Sequence, residues 1–151
     1  PGGRVRPCGG RIAARAKGSA ASLLVVRLTA GRWEALSVGD VCCFVVADDR
    51  LRYAFPITRS RAFGDRPSLV TTRMPARRPP LVRTREPLPE GARLLVATDA
   101  LARWFLAEFE RGGKPWGQLP EGGDPAAAWV AERRAAGVLA DDDVTLVEVA
   151  P

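Results

Sequence analysis

Carboxylates are the residues through which this chain could do chemistry, because its 151 residues include no histidine. Three places present them at the ends of apolar runs. Asp99 follows Leu94-Leu95-Val96-Ala97-Thr98, Asp141 to Asp143 precede Val144-Thr145-Leu146-Val147, and Asp40 precedes the run Val41 to Ala47. Acidic side chains delivered from separate loops gather hard divalent cations, which take oxygen ligands. Each place also has a plainer reading. Asp99 can cap the helix that follows it through free first-turn amides; Asp40 can bond its own turn, and the triplet can be a solvated turn. Without histidine, no Ser-His-Asp or Cys-His mechanism is available within the chain. Cys8, Cys42 and Cys43 make neither a disulfide framework nor a good zinc set.

The elements that must position these residues can be read from periodicity. Ser22 to Thr29, Trp33 to Val38, Val41 to Ala47 and Leu51 to Phe55 are strand-like and separated by tight turns, so an antiparallel meander is expected. Cys42 and Cys43 then face opposite sides of their strand. Leu94 to Thr98 is a buried strand. After Asp99, Leu101, Trp104, Phe105 and Phe109 recur at spacings of three and four, which predicts a helix ending at Gly112-Gly113. Asp124-Pro125 opens a second helix running to Gly137, with Asp124 as N-cap. Val144 to Val149 closes the chain as a strand. Strands followed by helices on an antiparallel sheet indicate an α+β domain, and the length suits a single one. Trp33, Trp104 and Trp129 are expected in the core.

Residues 1 to 17, rich in Gly, Pro and Arg, predict a disordered or extended basic arm ahead of one domain over 18–151. Charge is concentrated elsewhere. Eight arginines between Arg59 and Arg85 face the single acid Asp65, a local +7 that exceeds the whole chain's +6. Four prolines there, Pro67, Pro75, Pro79 and Pro80, predict a surface excursion, with Leu69 to Thr72 able to pair at an edge. Such a segment can hold phosphates through guanidinium forks. Only Phe63 could stack on a base, so nucleic acid ranks below a solvated or phosphate-facing loop. No apolar run reaches the length of a membrane span and no secretory pattern is visible, so no membrane association and a cytoplasmic location are expected.

Val38-Gly39-Asp40 after a hairpin, Leu94 to Asp99 at a strand-to-helix junction and Asp142 to Val147 at the last strand resemble, in that order, later motifs of the metal-dependent Ser/Thr protein phosphatases of type 2C. Pro56-Ile57 to Arg66-Pro67, with Phe63-Gly64, is similar to bacterial members. The resemblance spans about Gly18 to Val149 and is weak across the arginine segment and the loop holding Trp116. It implies an antiparallel β-sandwich flanked by helices, with two manganese or magnesium ions that activate a water to hydrolyse phosphoserine and phosphothreonine. Asp99 and Asp142 would be metal-binding aspartates, and Asp40 would support an additional, weaker ion. A phosphorylated protein would be the substrate.

The chain also departs from that family. Early motifs of the family supply an arginine for phosphate, a glutamate and an aspartate-glycine pair bridging the metals, yet no acid occurs before Glu34. The fold is therefore expected to be N-terminally incomplete, with no catalytic residue or phosphate clamp assignable, little hydrolysis by these residues alone, and uncovered sheet edges that offer a route to self-association. Ala100 stands where a glycine is usual, and Arg103 where an acid is usual; a guanidinium there repels a third cation. The alternative is a non-catalytic binding or scaffold module whose Arg59–Arg85 segment recognises phosphorylated or acidic protein.

Overall fold

The computed structural model describes residues 18–64, 66–72, 78–120 and 122–150; the expected arm over 1–17, with Cys8, lies outside them. In chain order the elements are β1 (Ala20–Ala21), β2 (Leu23–Thr29), β3 (Arg32–Val38), β4 (Cys42–Ala47), β5 (Arg50–Phe55), β6 (Val70–Thr71), β7 (Val82–Pro87), β8 (Arg93–Ala97), α1 (Asp99–Glu110), α2 (Asp124–Ala135) and β9 (Leu146–Val149). All pairings are antiparallel. They form one sheet of order β2-β3-β7, one of order β5-β4-β8-β9, and a two-residue ribbon of β1 with β6.

The continuous apolar run of β4 is explained by cover on both faces. Cys42, Phe44 and Val46 pack with Leu101, Trp104, Phe105 and Leu106 of α1, whereas Cys43, Val45 and Ala47 pack with Trp33 and Ala35 of the smaller sheet. The result is three layers: sheet, sheet, helices. Two aromatic groups fix the spacing. Phe44 stacks on Phe105 at 4.1 Å between centroids, and fully buried Trp33 meets Tyr53 and Phe55 at 5.9 and 6.4 Å. Trp104 is buried in the helical layer and crosses the half-buried Trp129 of α2 at 4.8 Å. Each such aromatic contributes large apolar burial plus a geometric preference.

The meander expected over the first four strands is instead two hairpins in two different sheets. β2 pairs with β3 and β4 with β5, but β3 and β4 are not neighbours. Gly39 is where the chain crosses over. It adopts φ +107°, and a Cβ there would run into the Ser22 side chain and approach the Ser68 carbonyl to 3.0 Å. Only glycine meets both demands. The arginine segment is likewise not all excursion, because Val82–Pro87 forms β7 at the edge of the smaller sheet, where Arg85 reaches Glu34 of β3 at 3.1 Å. Edge strands tolerate charge and a terminal proline. Two caps move by one residue: Thr98 and Gly123, not Asp99 and Asp124, are the N-cap positions of α1 and α2.

Candidate functional site

Strand register brings two of the acidic positions together. Cys42 of β4 pairs with Ala97 of β8. The ladder ends at that pair, and Asp40, two residues before Cys42, and Asp99, two residues after Ala97, both lie just beyond the same end of the larger sheet. Ala97 also pairs with Leu146 of β9, and the loop entering β9 carries Asp142 to that end.

Asp40, Asp99 and Asp142 all line one cleft of about 370 Å³. Phe63, Gly64 and Pro67 also line it, and Arg103, one turn along α1 from Asp99, adds a cation. Asp40 and Asp99 are half-buried, while Asp142 and Arg103 are exposed. Asp40 Oδ1 accepts a 2.8 Å hydrogen bond from Ser22 Oγ, and Asp142 Oδ1 accepts one of 2.7 Å from the Asp143 amide. Among the described residues, the side chains of Asp99 and Arg103 have no hydrogen bond or ion pair. A carboxylate at the first turn of α1 is favoured there by the helix dipole, so Asp99 needs no capping bond to be stable.

Other residues hold this geometry without lining it. Thr98 does not cap α1. Its hydroxyl donates to the Asp143 carbonyl and accepts from the Thr145 amide, both at 3.0 Å, and its own amide donates to the Thr145 carbonyl at 3.2 Å. The cleft wall is tied in a similar way. Glu110, at the end of α1, accepts from the Ser60 amide at 2.9 Å and from the Ser60 hydroxyl, anchoring the short helical turn Ser60–Ala62 that leads to Phe63. Those two bonds hold the Glu110 carboxyl below its ordinary range, with Arg59 and Arg61 adding to the effect. Sequence reasoning missed Thr98, Glu110 and Ser60, whose roles depend on contacts 45 to 50 residues away.

Cys42 lies beneath the cleft, its thiol donating to the Asp40 carbonyl at 3.4 Å. Burial pushes that thiol up to about 12, and the Asp40 and Asp99 carboxylates push the same way. The thiolate is the nucleophilic form, so Cys42 is an inert packing residue.

The donor chemistry of the cleft suits a hard divalent cation, since every candidate ligand is a carboxylate oxygen. The number of donors does not. Among the described residues no three acidic, histidine or cysteine side chains converge closely enough to hold an ion. The ligand set is partial. Elsewhere the basic segment splits: Arg59, Arg61, Arg66 and Arg78 are exposed, Arg83 and Arg85 belong to β7, and 65 and 73–77 lie outside the described residues. Among the described residues, no helix is long and apolar enough to cross a membrane.

No family model matches the chain, and no curated protein is significantly similar to it in sequence. Its fold does match solved structures. The photosystem II phosphatase PBCP superimposes with a TM-score of 0.54 at 12% identity, over 87% of this chain and 64% of that one. The Mycobacterium tuberculosis serine/threonine phosphatase PstP/Ppp superimposes with a TM-score of 0.52 at 16% identity, over 84% of this chain and 58% of that one. The chain thus spans roughly three fifths of the length of either phosphatase and has the mixed α/β, antiparallel-sheet fold of type 2C phosphatases.

Proposed function

We propose that this chain is part of a metal-dependent protein phosphatase of the type 2C kind, in which Asp99 and Asp142 contribute to a divalent-cation site, while Arg103 beside Asp40 disfavours an additional, weaker ion there. Phosphatases of this fold depend on metal. The observation that carries the reading is that Asp40 in a turn, Asp99 in the first turn of α1 and Asp142 in the loop before β9 all line one cleft at one end of the larger sheet. When bound, manganese or magnesium would supply an activated water and charge to hold a phosphoryl oxygen. The described residues supply too few ligands for that work, so these carboxylates need others to complete the set.

The substrate class is a phosphorylated serine or threonine on a protein. A second reading, a non-catalytic module that binds phosphorylated or acidic protein through the Arg59–Arg85 segment, is favoured by the incomplete ligand set and by Arg103 inside the cleft. Phosphate release from a phosphothreonine peptide separates the two. The whole gene product is expected to release phosphate only with Mn²⁺ and to lose that activity in Asp99→Asn. Absence of Mn²⁺-dependent release from the whole gene product, with peptide binding retained, would establish the second reading instead.

A further inference from the structure

The outer face of the smaller sheet carries charge that the cleft does not use. Trp33 and Ala35 of β3 are buried against the larger sheet, so Arg32, Glu34 and Leu36 point the other way. Strand register places neighbours beside each of them. Val25, Leu36 and Arg83 form one row across β2, β3 and β7, Arg27, Glu34 and Arg85 the next, and Thr29, Arg32 and Pro87 the third. The first two rows line a shallow groove of about 570 Å³. At its centre Glu34 accepts from Arg27 Nη2 at 2.6 Å and lies 3.1 Å from Arg85 Nε. Among the described residues, the side chains of Arg32 and Arg83 have no hydrogen bond or ion pair. Four arginines thus share this face with one carboxylate, a net +3.

The chemistry of the groove selects its occupant. No aromatic ring lines it, so bases would have nothing to stack on. Carboxylates suit guanidinium forks, which take them through paired hydrogen bonds. Val25, 50% exposed, and Leu36 give the groove an apolar floor beside those forks. Arg83 and Arg85 stand two residues apart on one strand, about 7 Å, which is also the spacing of alternate side chains on an extended peptide. We infer that this face docks an extended acidic segment of a partner protein, with carboxylates at alternate positions on Arg83 and Arg85 and an apolar side chain against Val25 and Leu36. Glu34 competes with those carboxylates for Arg27 and Arg85, and so limits affinity. Arg27 and Arg32 belong to the β2-β3 hairpin, so the surface is a property of the folded sheet and not of the arginine segment alone. No cleft residue takes part, and failure here leaves the reading of the cleft as it stands.

The test is fluorescence anisotropy with a short fluorescein-labelled peptide that alternates glutamate with leucine. The chain is measured as wild type, Arg83→Gln and Glu34→Gln. Arg111→Gln and Glu132→Gln make the same charge changes in the helical layer, on the far side of the larger sheet. Arg83→Gln is expected to weaken the peptide about five-fold and Glu34→Gln to tighten it about three-fold, with both helical variants close to wild type. Opposite signs at two neighbouring residues are what a built surface requires. Equal effects of Arg83→Gln and Arg111→Gln would mean general charge attraction and overturn the inference, as would a Glu34→Gln chain that binds no more tightly than Glu132→Gln. Tighter binding of single-stranded oligothymidylate than of the peptide, weakened in Arg83→Gln, would overturn it in favour of nucleic acid. Amide shifts in the wild-type chain locate the peptide without any substitution: changes are expected over 25–27, 34–36 and 83–85, and changes confined to other segments would overturn the inference.

Discussion

The Thr98 hydroxyl donates a 3.0 Å hydrogen bond to the carbonyl of Asp143, joining the residue before Asp99 to the residue after Asp142. Through this contact two acidic positions more than forty residues apart share one rigid frame. The same hydroxyl accepts from the Thr145 amide, so both of its hydrogen-bonding roles are used on the loop.

Thr98→Val, which keeps the shape and removes the hydroxyl, is therefore expected to cost about 1–2 kcal/mol of stability, since it abolishes two hydrogen bonds at a half-exposed site. A urea midpoint lowered with an unchanged slope would fit. A variant as stable as wild type would show that the loop is held by its backbone pairing alone.

The cysteines set a pH dependence with a defined sign. Burial raises Cys42 and Cys43 from an ordinary value of 9.0 to about 12. Between those values the folded chain keeps protons that the unfolded chain has lost, so stability falls as pH rises. The cysteine contribution should be level below about pH 9 and decline toward pH 12. Urea unfolding of Cys43→Ala against wild type at pH 8 and pH 10 measures it: the stability difference between them is expected to shrink at the higher pH. A native chain alkylated by iodoacetamide at Cys42 or Cys43 at pH 8 would contradict the burial.

Much of the fold is legible in the sequence because apolar runs and turn residues mark strand ends. What is not legible is which sheet a strand joins. Asp48-Asp49 and Gly39-Asp40 look like equivalent turns. Yet both residues of the first pair take φ near +50°, closing a two-residue hairpin, whereas Gly39 carries the chain from one sheet to the other. β7 is hidden because Arg83 and Arg85 alternate with Val82 and Thr84 at an edge, and a polar edge strand resembles a loop. The acidic residues of the cleft stand out by their places beside apolar runs. Thr98 and Glu110 do not, because their partners are backbone groups or a serine brought near only by folding.

Glu110 tethers the turn that leads to Phe63, a residue of the cleft lining. Its folded value is depressed by the Ser60 bonds, so its contribution is present above the ordinary carboxylate value of 4.5 and is lost as pH falls below it. Glu110→Gln is expected to accelerate amide exchange across 60–63 at pH 7, and wild type to approach the variant as the pH is lowered through the carboxylate range. Equal protection of Ser60 in both proteins at pH 7 would contradict the tether.

The central claim is that Asp99 and Asp142 face a common divalent cation. Carboxylate sites with few protein ligands hold such ions weakly, with a dissociation constant on the order of 10⁻³ M. A nuclear magnetic resonance titration with Mn²⁺ reads the location directly, because the paramagnetic ion broadens nearby amides first. The account predicts that signals from 98–101 and 141–143 disappear earliest, and that Asp99→Asn removes the effect at both segments together. Broadening that begins elsewhere and leaves those two segments intact would contradict it.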